Sequence, residues 1–270
     1  MNRPKSSRRT ANPPILPVPG AGGQSFARLA QRLLAPLLAI ILPQDCMVCG
    51  AAIHAREGQD WPVCPACAAA LLRLTGERCP VCALPTVEGL TCGPCQKLPP
   101  SFDATLAPFV YAFPVDRLIQ SLKYRHRLAL SGWFGSQLAD ELMNHPADLP
   151  PNLILPMPLH PRRLAERGFN QALELARPLA RLTGLSIVQE GVERNLNAPP
   201  QASLPWKARR KNIRGAFLCH QDFSGCHVLV VDDVMTTGAT LEELAGCLKQ
   251  HGAARVTNLV LARTLPHGMA

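Results

Sequence analysis

Residues 228–240 read VLVVDDVMTTGAT, and this run combines three groups that a sugar phosphate would need. Asp232 and Asp233 are adjacent carboxylates, able to accept hydrogen bonds from ribose hydroxyls. Thr236, Thr237, Gly238, Ala239 and Thr240 follow as a hydroxyl-rich loop that leads into an apolar-periodic helix. Exposed amides at a helix start favour a phosphate, glycine lets the backbone approach it, and threonine hydroxyls add donors. A surface turn with a threonine cap would account for the loop taken alone. It would not account for four apolar residues, an acid pair and the loop in one unbroken run.

A second chemistry lies in the cysteines. Eight of the eleven form four CxxC pairs: Cys46/Cys49, Cys64/Cys67, Cys79/Cys82 and Cys92/Cys95. Two thiolates separated by two residues can meet one metal from a tight turn, and two such turns complete a tetrahedral zinc site. Sequential pairing gives one site from the first four cysteines and one from the last four, although the spacing leaves interleaved pairing open. Four thiolates leave no open position, so the expected role is structural. In a segment with no large core, metal must supply much of the folding energy. Cys219, Cys226 and Cys247 stand apart in the sequence and read as small core residues.

Basic residues form a third group. Arg162 and Arg163 follow a short apolar run, where guanidinium groups suit pyrophosphate oxygens or, alternatively, are solvated helix-start charges. Residues 193–216 are polar and basic, with Arg194, Lys207, Arg209, Arg210, Lys211 and Arg214. Such a stretch is either a mobile lid over a ligand or a solvated charge run.

The elements that must position these groups follow from apolar periodicity. The run at 228–231 suits a central parallel strand, buried on both faces. The pattern predicts strands at 103–111, 152–156, 186–190, 227–232 and 255–262, with helices at 115–124, 128–144, 169–183 and 237–251. Pro178 should kink or split the third of these helices, and Asn170 is placed to cap it. This alternation predicts an α/β fold with a parallel sheet covered on both faces. Ligands in such sheets bind at the strands' C-terminal edge, where both the acid pair and the Arg162 segment fall. The expected organisation is a disordered basic tail at 1–25, a helix at 26–43, a Cys-rich zinc module at 44–98 and the α/β domain at 103–264.

Composition sets outer bounds. The chain of 270 residues is 47% hydrophobic and 17% charged, and its formal charge of +9 favours anionic partners. The apolar run at 33–42 contains Pro36 and is too short to cross a bilayer. No small-residue cleavage pattern follows it, and zinc-type cysteines do, which points to the cytoplasm.

The segment 228–240 resembles the PRPP-binding motif of type I phosphoribosyltransferases. That resemblance implies that Asp232 and Asp233 are the catalytic pair holding the ribose 2′ and 3′ hydroxyls, and that residues 236–240 wrap the 5′-phosphate. It also implies Mg²⁺, chelated largely by PRPP, and pyrophosphate leaving through an oxocarbenium-like state. The stretch 156–163 (PMPLHPRR), the continuation RGFNQ at 167–171, Leu122-Lys123-Tyr124, Arg209, Asn212 and Gly215-Ala216-Phe217 look like the competence protein ComF family. An N-terminal double zinc ribbon joined to a phosphoribosyltransferase domain is that family's layout. The resemblance covers about 40–262. It adds Leu159, His160, Arg162, Arg163 and Arg209 to the ligand-binding residues, and it favours the lid reading of the basic stretch. It implies a role in natural competence or in DNA or nucleotide utilisation. Thr236 stands where several purine transferases carry a carboxylate, which weakens a purine-salvage reading and leaves no evident general base. Two rival readings accompany enzymatic transfer. One is a single-stranded DNA-binding accessory protein, with DNA-uptake machinery as a partner; aromatics are few for that role, and the candidates Tyr124, Trp133, Phe169 and Trp206 read rather as core or hinge residues. The other is a PRPP-sensing scaffold without turnover.

Overall fold

Each cysteine pair sits in the tight turn that its spacing demands. The computed structural model describes residues 44–53, 61–125, 127–145, 149–195 and 215–266. The expected tail at 1–25, the helix at 26–43 and the basic residues Lys207, Arg209, Arg210, Lys211 and Arg214 lie outside the described residues. In the cysteine-rich module, β1 (Gln44–Asp45) pairs antiparallel with β2 (Ala52–Ile53) around the first knuckle. Gly50 closes that knuckle with φ 72°, and Ala83 takes the same left-handed place in the second with φ 58°. Each knuckle faces a short helix that carries the partner pair, α1 (Pro65–Ala69) and α2 (Gly93–Lys97).

The α/β domain then runs β3 (Ala104–Leu106), β4 (Phe109–Val110), α3 (Val115–Tyr124), α4 (Ala129–Asn144), β5 (Leu153–Pro156), α5 (Pro161–Arg167), α6 (Gln171–Thr183) and β6 (Ser186–Ile187). It continues with β7 (Val192–Arg194), β8 (Phe217–Cys219), β9 (His227–Met235), α7 (Ala239–Gln250) and β10 (Arg255–Arg263). The sheet is parallel throughout, in the order β3-β10-β9-β5-β6, with β4 also on β10. Alternation along β9 divides its side chains between two cores. Val228 and Val230 pack with Leu241, Leu244 and Leu248 of α7. Leu229 and Val231 pack with Leu122 of α3, Phe134 and Leu138 of α4, and Leu175 of α6. The strand is therefore sealed on both faces, as its apolar run requires.

The structure differs from the periodicity at five places. The strand expected at 103–111 is broken into β3 and β4, both on β10, because Pro108 has no N–H for the ladder. The strand expected at 186–190 shortens to β6. The central strand runs on past Asp232, since β10 still pairs with it at Val234 and Met235. Pro178 neither splits nor ends α6, which runs unbroken from Gln171 to Thr183. Its ring instead fills the space over Gly135 of α4, where a Cβ would lie 2.3 Å from Pro178 Cγ. A close helix contact thus keeps a proline that propensity alone would reject. The residues that begin α5 were expected only as a basic segment, yet Pro161 at the first position and Gly168 at φ 79° bound a separate helix.

The cysteine-rich module does not hang free. Leu74 N donates to the Pro108 carbonyl at 2.9 Å and Val110 N to the Leu72 carbonyl at 3.0 Å, so residues 72–74 cover the outer edge of β4. An antiparallel bridge joins Arg73 and Phe109 between those bonds. Trp61 meets Trp133 of α4 edge-on at 6.5 Å, and Val63 and Leu71 enter the same core. Trp133 is therefore a packing residue and not an exposed stacking platform.

Candidate functional site

The two cysteine clusters follow sequential pairing: Cys46, Cys49, Cys64 and Cys67 in one, Cys79, Cys82, Cys92 and Cys95 in the other. Within each, all four Sγ atoms lie within 4.8 Å of one another. Cys49 and Cys64 are 3.9 Å apart and Cys82 and Cys92 are 3.5 Å apart. A tetrahedron with Zn–S near 2.3 Å has edges of about 3.8 Å, so both clusters fit zinc. Backbone amides support the thiolates. Val48 N and Cys64 N reach Cys46 Sγ at 3.5 and 3.3 Å. Burial alone would raise the Cys46 thiol, but these amides bring it down to about 6. A zinc ion here would neutralise and cross-link four thiolates.

A cavity of about 200 Å³ opens at the C-terminal edge of the sheet. It exists because β5 stops at Pro156, opposite Val231, whereas β9 carries on through the acid pair. Asp232 and Asp233 form one wall, and Thr240 joins them from the first turn of α7. Met157, Pro158 and Leu159, which follow β5, form another. Asn170 ties this loop to α6: its Nδ2 donates to the Met157 carbonyl at 3.1 Å, and its Oδ1 caps the helix by accepting from Ala172 N. The rest of the lining is basic, with Arg163 and Arg167 from α5, Arg194 from β7, and Lys123 from α3 set directly against Asp233.

The acids are not equivalent. Burial pushes Asp232 up first, and the neighbouring charge of Asp233 adds to it, so its carboxyl stays protonated well above the usual range. Burial also pushes Asp233 up, but the Lys123 ammonium, in direct ion-pair contact with Oδ2, outweighs it and holds Asp233 low. The same contact raises Lys123 in spite of its burial. Arg194 is lowered by burial and drawn back by Asp232, with its guanidinium 5.6 Å over the Phe217 ring. Arg167 donates to Gln171 and stacks 5.3 Å over Tyr124.

The residues expected from sequence fall into three groups. Asp232, Asp233, Thr240, Leu159 and Arg163 line the cavity together. Thr236, Thr237, Gly238 and Ala239 form the turn into α7 and lead to Thr240 without lining it. Gly238 is left-handed at φ 79° and sits against Met235, whose Cε would be 2.6 Å from any Cβ. His160 and Arg162 lie off the cavity wall. His160 Nδ1 accepts from Arg162 N at 3.2 Å and so caps α5, while the Arg162 side chain is exposed. Arg209 lies outside the described residues. Lys123, Arg167 and Gln171 enter the sequence reading only as points of family resemblance, and Tyr124 also as a candidate stacking aromatic; the structure gives all four places on the wall. A lysine in the last turn of an otherwise amphipathic helix was the available signal for Lys123.

One buried cation joins the two chemistries. Arg263 of β10 donates Nε to the Cys82 carbonyl at 2.9 Å and Nη1 to the Met235 carbonyl at 2.9 Å, and also reaches the carbonyls of Thr236 and Thr264. A zinc knuckle and the start of the threonine loop thus hang on one guanidinium.

Comparison with known proteins agrees with this division. A double zinc ribbon domain is matched over residues 37–96 and a phosphoribosyl transferase domain over residues 164–266. Fold and site define a zinc-ribbon protein with a phosphoribosyltransferase-type α/β domain. The chain is 34% identical over 230 residues to the DNA utilization protein YhgH of Escherichia coli, covering 84% of this chain and 100% of that protein. It is 33% identical over 183 residues to competence protein F of Haemophilus influenzae, with 64% and 78% covered. Competence protein ComFC of Bacillus subtilis is 27% identical over 217 residues, with 76% and 85% covered. The chain belongs to the ComF family.

Proposed function

We propose that the cavity binds PRPP, or another phosphorylated ribose, together with Mg²⁺, and that the chain transfers the phosphoribosyl group in DNA or nucleotide utilisation. The observation that carries this reading is the acid pair and three arginines lining one cavity, beside the start of α7. In this reading Asp232 and Asp233 take the ribose hydroxyls, and residues 236–240 take the 5′-phosphate through backbone amides and threonine hydroxyls. Arg163, Arg167 and Arg194 would hold the pyrophosphate and stabilise its charge as it leaves. Mg²⁺ would shield the same oxygens when bound with PRPP. Lys123 keeps Asp233 ionised and fixed before the ligand arrives. Two clusters of zinc-type cysteines, which need their thiols kept reduced, support a reducing compartment, hence the cytoplasm. No helix among the described residues is long and apolar enough to cross a membrane.

Calorimetry and thermal shift against PRPP with Mg²⁺, ribose 5-phosphate and short single-stranded DNA test this directly. PRPP with Mg²⁺ is expected to raise the melting temperature, and Asp232→Asn combined with Asp233→Asn to abolish the rise. An equal rise in the double variant would show that this cavity is not the site.

A role in handling DNA is the second reading, favoured by relatives named for DNA utilization and competence. The formal charge of +9 would then serve contacts with phosphates along a strand. Such binding must weaken steeply with added salt. An affinity indifferent to salt would remove the basic surface as its source.

A further inference from the structure

Cys219, Cys226 and Cys247 were expected as separate core residues, but they are half-buried, and two of them meet. Cys219 closes β8, and its Sγ lies 3.1 Å from Cys247 Sγ on α7. His251, at the C-terminal cap of α7, follows Cys247 by one helical turn, so the two side chains share a face. A ring nitrogen of His251 and the two sulfurs lie within 4.8 Å of one another, as closely as the ligand atoms within each ribbon. From this geometry we infer a third metal site, for a thiophilic divalent cation such as Zn²⁺, held by Cys219, Cys247 and His251.

Two sulfurs and one imidazole nitrogen form a donor set that zinc accepts, with the fourth position left to water. His251 Nδ1 lies 2.9 Å from the Cys247 carbonyl. In the neutral ring this bond places the proton on Nδ1 and leaves the lone pair on Nε2, which is the usual support of a ligating histidine. The cap itself is fixed, since Phe223 N donates to the His251 carbonyl at 2.8 Å. The sulfurs, 3.1 Å apart, must part by about 0.7 Å to reach a tetrahedral edge of about 3.8 Å. Closing to a disulfide would demand a movement of about 1 Å and would leave the imidazole without a purpose. The site belongs to the α/β domain and is separate from both ribbons. An ion there would join the strand that leaves the basic stretch to the far end of the helix that starts at the threonine loop.

The test uses the whole chain under reducing conditions, loaded with ¹¹³Cd²⁺ and compared with Cys219→Ser combined with Cys247→Ser, and separately with His251→Asn. The wild type is expected to bind one ion more than the double variant. It should also show one ¹¹³Cd resonance upfield of the two from all-cysteine sites. His251→Asn, a milder change at a half-exposed position, should weaken that ion at least tenfold and leave the other two resonances in place. Equal metal content in wild type and double variant overturns the site. So does a reduced wild type whose Cys219 and Cys247 take up no cadmium and simply form a disulfide on treatment with hydrogen peroxide.

Discussion

A lone carboxylate at the cavity wall would ionise near pH 4, but Asp232 is half-buried and lies beside a second acid that is already charged. The linkage has a definite sign. A carboxyl whose folded pKa lies above its unfolded value binds its proton more tightly when folded, so stability falls as pH rises past the unfolded value. Asp232→Asn removes that cost and should raise the melting temperature of the ligand-free protein by a few degrees at pH 7.5. The gain should vanish near pH 4, and PRPP affinity should fall at least tenfold. Asp233→Asn should act in the opposite direction. Its folded pKa is depressed, so its contribution is present at neutral pH and is lost as pH falls through that depressed value. Removing it strands the Lys123 ammonium, at a cost of roughly 2–3 kcal/mol once that side chain's residual exposure is allowed for. Thermal melts of both variants across pH decide the matter, and two variants that shift in the same direction would refute this asymmetry. The sequence shows two identical acids. It has no means of showing that Lys123, far away in the chain, selects one of them.

At the level of strands and helices, the strongest patterns were the readable ones. The valines of β9, the apolar run Leu259–Ala262 of β10 and the glycine-led start of α7 are each legible locally, and the structure keeps them. What sequence could not show depends on partners. Gly135 of α4 makes Pro178 acceptable in α6, and the length of β10 decides where β9 stops. Cys219 and Cys247 meet only because β8 packs along α7. Arg263 is the sharpest case, because as a sequence it is simply a cation after a strand. Its four carbonyl acceptors link the second ribbon to the threonine loop. Arg263→Met should cost about 2–4 kcal/mol, because buried acceptors lose a charged donor. It should also weaken PRPP binding, although Arg263 is not among the residues lining the cavity. Denaturant unfolding and calorimetry on the same preparation test both effects. Unchanged PRPP affinity in a destabilised variant would show that the guanidinium serves packing alone.

At the scale of the whole molecule, the ribbons and the sheet are one structure. Ribbon residues Leu74, Cys79 and Cys82 share a core with α7, and Cys46, Val63 and Leu71 share one with α4 and α6. Withdrawing metal with a strong chelator should therefore lower the melting temperature of the entire chain, visible in the tryptophan signal of Trp61 and Trp133. A separate early transition with an unchanged main one would show two independent units. The segment 72–74 carries the larger consequence. A protein shortened to begin near residue 100 would retain every strand of the sheet, yet the Val110 amide and the Pro108 carbonyl would face water with no chain beside them. Bare strand borders recruit one another. Light scattering on such a fragment should show mass growing with concentration, while the full-length protein holds constant mass. On that outcome the small metal module would have a duty apart from any ligand: it would keep neighbouring copies from zipping together along the border it covers.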